Sequence, residues 1–335
     1  MKKHIYVAYT GGTIGMRPSA QGFVPAAGFL TETVASMPEF QRSEMPDFTI
    51  HEYPKLIDSS DMSPSDWQKI ANDIHQNYQQ YDGFVVLHGT DTMAHTASAL
   101  SFMLEDLGKP VIVTGSQIPL AQLRSDGQVN LLNALYIAAN YPIAEVTLFF
   151  NNQLFRGNRS RKLDADGFNA FDSPNFPPLL KAGINIEVEK NILGIDNSKK
   201  LHVSQIESQP IGVVTLYPGI STEVIKNTLQ QPVKALILLS FGVGNAPQNS
   251  SLLKQLSIAD QQGIIVLNCT QCIRGTVNMN GYANGRVLRD VGVVSGQDMT
   301  PEAALAKLHY LLSKDMPPGN IKRQLMANLR GELTE

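Results

Sequence analysis

The chain has 335 residues, 43% hydrophobic and 17% charged, with a net charge of −3 at pH 7. At roughly 150 residues per domain this length predicts two domains. The near balance of 27 Lys and Arg against 30 Asp and Glu excludes the basic excess of a nucleic-acid-binding surface, and the apolar content excludes a disordered chain.

No apolar run reaches the roughly 18 residues of a membrane span. The apolar stretch 5–9 is shorter than the core of a secretory signal and runs straight into glycines. Cys269 and Cys272 are the only cysteines, so no disulfide framework is expected. These features predict a cytoplasmic protein with neither a membrane nor a nucleic-acid partner.

Segments 4–9, 83–87, 110–113 and 145–150 are short, continuously apolar and rich in β-branched residues, as in strands buried on both faces of a parallel sheet. Helical patterns lie between them. Ser63 reads as an N-cap with Pro64 at the first helical position, followed by Trp67, Ile70, Ile74 and Tyr78 at helical spacing. After 88–92, Met93, Ala97, Leu100, Leu104 and Leu107 share one face of a second helix, which Gly108 and Pro110 end. A third helix is expected over about 126–140. This alternation predicts a larger N-terminal α/β domain with a mostly parallel sheet over 1–184. Residues 185–210 are mixed and polar and read as a linker with one marginal strand. Strands at 212–216, 235–239 and 263–267, with helices at 221–229, 250–262 and 301–314, predict a smaller C-terminal α/β domain over 211–335.

In open α/β sheets ligands bind beyond the carboxyl ends of the strands. Here those ends carry Tyr9-Thr-Gly-Gly-Thr13, His88-Gly-Thr-Asp-Thr92, Thr114-Gly-Ser-Gln117 and Asn151-Asn152. Hydroxyls, amides and glycines at one rim suit a small, polar, zwitterionic ligand. Residues 10–15 lack G-x-G-x-x-G spacing and no Walker-type loop occurs, so nucleotide binding has little support. No G-x-S-x-G elbow exists, and neither H-E-x-x-H nor zinc-type Cys/His spacing is present; no metal or cofactor is expected. The Cys269-x-x-Cys272 pair has no thioredoxin-like context and reads as structural. Threonine remains as a candidate nucleophile, which needs a neighbouring base. Thr13 follows a strand on a glycine turn, and Thr90 sits beside Asp91. Turn shaping explains Thr13 equally well, and helix capping explains Thr90, Asp91 and Thr92.

YTGGTIG at 9–15 and GFVVLHGTDTM at 83–93 resemble the two active-site signatures of the bacterial-type L-asparaginase family, and DSSDM at 58–62 resembles its substrate loop. The similarity continues through VTGSQIP (113–119), RGNR (156–159), GVGNAP (242–247) and the C-terminal domain. It covers essentially the whole chain and is greatest to the cytoplasmic, type I branch.

The resemblance implies an asparaginase/glutaminase-like fold and a set of roles. Thr13 is the nucleophile that attacks the side-chain amide of L-asparagine, leaving a β-aspartyl ester that water hydrolyses. Thr90, Asp91 and Lys162 form the second group, in which the lysine and threonine handle the proton. A lysine acts as a base only when neutral, which like charges on Arg156, Arg159 and Arg161 would favour; without the resemblance that basic run reads as a solvated loop. Asp91 holds the α-ammonium, and Asp58, Ser59 and Ser60 orient the α-amino and α-carboxylate groups. Backbone N–H groups at the helix start near Thr90 suit a carboxylate or oxyanion. Asn245 is lent to a neighbouring subunit, implying a homodimer or dimer of dimers. Two departures stand out. Phe23, on a lid expected over 16–27, replaces the family's tyrosine. Leu239 occupies the position of an arginine in a second, allosteric asparagine site whose other residues match Thr270, Gln271 and Cys272. The competing expectations are a glutaminase or broader amidohydrolase, a non-catalytic amino-acid sensor, and a dehydrogenase, against which the absent phosphate fingerprint weighs. A single methylene separates asparagine from glutamine, worth only about 1–3 kcal/mol of discrimination.

Overall fold

Strand His4–Tyr9 is apolar on both faces and buried from Ile5 onward, so it needs cover above and below and takes a central place in a sheet. The computed structural model describes residues 2–20, 22–189, 192–193, 200–279, 281 and 283–334. They form two units: Met1–Ser173 with Pro177–Ser204, and Pro174–Phe176 with Gln205–Glu335.

The first unit holds an eight-stranded sheet in the order Ile186–Val188, Leu180–Ala182, Gln153–Arg156, Val146–Phe150, Val111–Thr114, Gly83–Leu87, His4–Tyr9 and Asp47–Glu52. The last five run parallel, with Tyr9 opposite Leu87 and Leu87 opposite Thr114. The three others add antiparallel. The register brings the carboxyl ends of three neighbouring strands to one rim. Helices Pro64–Asn77, Met93–Met103 and Gly127–Asn140 make three of the crossovers. In the first, the Ser63 N–H donates to Asp66 Oδ2 at 3.1 Å, a capping-box contact that fixes the start of the helix. Trp67, Ile70, Ala71 and Ile74 are its buried face, each large apolar side chain contributing about 1.5–3 kcal/mol by leaving water.

The second unit has a four-stranded parallel sheet: Ile211–Thr215, Ala235–Ser240, Ile265–Thr270 and Val294–Ser295. Helices Thr222–Thr228, Ser250–Gln261, Ala283–Asp290, Pro301–Leu312 and Pro318–Met326 accompany it. Leu236, Leu238, Leu252, Leu256 and Val266 lie in its core. The fold is thus α/β throughout, with a large mostly parallel sheet and a smaller parallel one.

Two expectations change. The helix read as continuing to Leu107 stops at Met103: Leu104–Glu105 pairs antiparallel with His202–Val203, and Asp106 turns the chain at φ 57°. Within the stretch read as a linker, Ile186–Val188 and His202–Val203 both pair with first-unit strands; residues 190–191 and 194–199 lie outside the described residues.

Candidate active site

Beyond Tyr9 and Leu87 the two central strands open into glycine turns. The Thr10 N–H and Oγ1 both donate to the Leu87 carbonyl, at 3.1 and 2.8 Å. Gly12 has φ 93°, and a Cβ there would lie 2.4 Å from the Gly89 nitrogen. The two turns therefore meet backbone to backbone, which glycine alone permits. Thr13 follows at once, half-buried, at the head of a short 3₁₀ turn, Thr13–Gly15.

Thr90 lies on the facing turn and is buried. Its hydroxyl donates to Gln117 Oε1 at 3.0 Å. Lys162 Nζ donates to Thr90 Oγ1 at 2.9 Å and to Asp91 Oδ1 at 2.8 Å. Lys162 reaches this position from the short strand Arg161–Lys162, paired with Phe171–Asp172. The lysine side chain is 19% exposed and that of Asp91 64%, so one end of the pair faces solvent. Thr90, Asp91 and Lys162, far apart in sequence, form one contiguous group. Among the described residues no hydrogen bond joins Thr13 to them; the contact between the Gly12 and Gly89 turns sets its place.

The basic run around Lys162 is not a solvated loop. Arg156 and Arg159 are buried, and Arg156 Nε lies 2.6 Å from Glu145 Oε2. The first of the three arginines is thus neutralised by its own carboxylate, while the ion partner of Lys162 is Asp91.

The loop before helix Pro64–Asn77 supplies a third wall. The Ile57 N–H donates to the Thr10 carbonyl at 2.8 Å, and a Cβ on Gly89 would lie 2.5 Å from Ser59 Oγ. Asp58 Oδ1 accepts from the Ser60 N–H and Oγ, both at 2.9 Å, closing the loop on itself. The capping expectation for Thr90 and Thr92 gives way here. Helix Met93–Met103 has no side-chain cap, because the Thr92 hydroxyl donates to the Ser59 carbonyl at 2.7 Å and the Thr90 hydroxyl is spent on Gln117. Both hydroxyls join loops of the rim instead of ending a helix.

His88 locks the facing turn from beneath. It is almost fully buried; Nδ1 lies 2.7 Å from the Gly89 carbonyl and Nε2 2.8 Å from Thr96 Oγ1. A carbonyl only accepts, so Nδ1 carries the hydrogen and Nε2 accepts from Thr96, whose oxygen in turn accepts from Trp67 Nε1 at 3.0 Å. This closed chain needs a neutral imidazole, and burial depresses its pKa from 6.5 to about 4, since low dielectric penalises the charged ring.

Residues 4–193 match the asparaginase N-terminal family model, and residues 210–325 match the glutaminase/asparaginase C-terminal domain. The chain belongs to the asparaginase family. It is 65% identical to L-asparaginase 1 of Escherichia coli (strain K12), over 99% of this chain and 98% of that protein. The crystal structure of L-asparaginase I from Vibrio cholerae matches with a TM-score of 0.94 at 65% identity, covering 100% of both chains. The thermostable L-asparaginase from Thermococcus kodakarensis matches at 0.88 with 29% identity, covering 99% of each.

Against that family background, the segment expected as a lid forms an antiparallel hairpin, Met16–Ser19 with Gly22–Pro25, in which Phe23 is opposite Pro18 and 49% exposed. In the second unit Asn245 sits in a tight turn that bonds back to Phe241 through both backbone groups, at 2.8 and 2.9 Å. Its neighbour Gly244 takes φ 105°. Leu239, Thr270, Gln271 and Cys272 gather at the carboxyl ends of Ala235–Ser240 and Ile265–Thr270. Gln271 Nε2 donates to the Leu216 and Leu239 carbonyls at 2.7 and 2.8 Å, and the Cys272 N–H donates to Thr270 Oγ1 at 3.0 Å. Sequence reading placed Gln117 at the rim and Asp126 at a helix start but gave neither a role. The position of Gln117 just past a parallel strand was the available signal.

Proposed function

We propose that this chain hydrolyses L-asparagine to L-aspartate and ammonia through an ester on Thr13. The observation that carries the reading is Lys162 Nζ on Thr90 Oγ1 at 2.9 Å and on Asp91 at 2.8 Å, beside the glycine turn that bears Thr13. The Thr13 oxygen attacks the side-chain carbonyl carbon and its proton passes to the departing nitrogen, which leaves as ammonia. Water then attacks the ester, giving aspartate and restoring the Thr13 hydroxyl. Thr90 and Lys162 move the proton in each half, the division of labour expected of covalent catalysis with a neighbouring base. Asp91, still largely exposed beyond its contact with Lys162, binds the substrate ammonium. Asp58, Ser59 and Ser60 orient the α-amino and α-carboxylate groups.

The finer assignments follow the same reading. Asn245 completes the site of a neighbouring copy, so the working unit is a homodimer or a dimer of dimers. Cytoplasmic location follows from the similarity to the type I enzyme; among the described residues no helix is long and apolar enough to cross a membrane. At the second-unit rim, Leu239 offers no cation for a carboxylate, and the Gln271 amide donors are already engaged. Activation by asparagine there is not expected.

Ammonia release by the purified protein tests all of this together. Asparagine should be turned over with a hyperbolic concentration dependence and faster than glutamine. Thr13→Ala and Lys162→Ala should each lower kcat by about 1,000-fold or more. Full activity in Thr13→Ala would remove the acyl-enzyme, and a sigmoidal curve would restore the effector site.

A further inference from the structure

We propose that Gln117 is a positioning residue that fixes which way the Thr90 hydroxyl holds its proton. The proposal rests on the reading above, in which Thr90 and Lys162 move protons.

The orientation of the Gln117 amide follows from its partners. Nε2 lies 3.1 Å from the Gly167 carbonyl and 3.3 Å from the Ala165 carbonyl. Carbonyl oxygens accept only, so the NH₂ end must face them and the oxygen end must face Thr90. At 3.0 Å from Thr90 Oγ1, an amide oxygen cannot donate, which obliges the Thr90 hydroxyl to give its hydrogen to Gln117. The contact between Lys162 and Thr90 must then run from Nζ to the threonine oxygen. The whole direction of the chain, Lys162 to Thr90 to Gln117, is set by two backbone carbonyls at its far end.

The backbone of Gln117 is held as firmly as its side chain. Its N–H donates to both oxygens of Asp126 at 3.0 Å, and the Ile118 N–H donates to Asp126 Oδ1 at 3.1 Å. The loop bearing Ala165 and Gly167 is closed in turn by Asp164, whose Oδ1 accepts from the Asp166 and Gly167 N–H groups at 3.1 and 3.0 Å. Asp164 begins two residues after Lys162, so the Gln117 side chain ties the threonine of the pair to the segment that follows its lysine. With the hydrogen held by Gln117, Thr90 Oγ1 serves as an acceptor: one lone pair takes the hydrogen bond from Lys162 and the other is left to accept a hydrogen bond from a donor in the site. Without that acceptor the hydroxyl is free to rotate and donate elsewhere, and the lone pair is lost from the relay.

A double-mutant cycle separates this role from simple loop support. In Gln117→Met, which keeps length and removes both polar ends, kcat for asparagine should fall by about 10- to 100-fold while KM stays within about threefold. In a Thr90→Val background there is no hydroxyl to orient, so adding Gln117→Met should cost less than about twofold. An equal loss in both backgrounds would reduce Gln117 to a loop support and overturn the proposal, as would unchanged kcat in the single variant. Gln117→Leu serves as the second substitution, taken through the same cycle, if circular dichroism shows the methionine variant unfolded. Turnover by the parent enzyme and its loss in Thr13→Ala test the asparaginase reading separately, whatever Gln117 does.

Discussion

His88 shows how one residue can couple the site to pH without touching substrate. Its native contacts require the neutral ring, and its pKa is held at about 4 against about 6.5 for an exposed histidine. Between these values the unfolded chain takes up a proton that the folded chain refuses, so stability falls as pH drops from about 6.5 toward 4 and is complete above it. From pH 7 to pH 5 this group should remove about 2 kcal/mol. Urea unfolding at the two pH values checks it, with His88→Gln as reference, because other titrations cancel in the difference. A reference variant as pH-sensitive as the parent would show that the ring is not the source. The signature around 83–93 made Thr90 and Asp91 legible in sequence, and VTGSQIP at 113–119 contained Gln117. The wiring was not legible, since whether a hydroxyl caps a helix or bridges two loops depends on which backbone folds back against it. Thr92 and its bond to the Ser59 carbonyl is the plainest example.

At the scale of an element, helix Pro301–Leu312 does more than cover a sheet. Lys307 and Glu332 are fully buried as an ion pair at 2.6 Å. Lys307 Nζ also donates to the Leu325 and Ala327 carbonyls, while Glu332 accepts the Leu329 and Arg330 N–H groups. Burial lowers the Lys307 pKa, partly offset by the carboxylate. The pair thereby folds the segment after helix Pro318–Met326 back onto the unit. Removing one member leaves a buried charge uncompensated, so Glu332→Ala should cost about 3–5 kcal/mol, read as a lower urea midpoint; a loss below 1 kcal/mol would show that the tail is held otherwise. This element also marks a limit of sequence reading. Helix 301–314 is visible as an amphipathic run from Pro301, but Pro318–Met326 and the ion partner of Lys307 are not, because pairing across 25 residues leaves no periodic trace. The sheets divide in the same way. Gly83–Leu87 and Val146–Phe150, buried on both faces, spell themselves out in apolar letters. Edge strand Asp47–Glu52 alternates between exposed and half-buried positions, and the antiparallel strands at the other edge are short and mixed, so neither pattern stands above the loops.

At the scale of the whole molecule, the reading of Asn245 makes the active unit larger than one chain. Its turn has a fixed backbone: the Phe241 and Asn245 backbones bond to each other, and the Asn268 Nδ2 and Thr270 Oγ1 atoms donate to the Gly244 and Gly242 carbonyls. Three anchors on a turn of this length hold the Asn245 backbone in one place, as a residue presented to another copy requires. The consequence is complementation between dead enzymes. On that reading each site of a two-fold dimer takes Thr13 from one subunit and Asn245 from the other. Thr13→Ala and Asn245→Ala, each separately impaired, should regain activity when mixed through mild denaturation and refolding. Random pairing makes half the dimers mixed, and one of the two sites in each is then intact, giving about a quarter of parental activity. If the asparagine acted within its own chain, the mixture would show only the average of the two variants, and the exchange of residues between copies would be disproved even where size-exclusion chromatography finds a dimer.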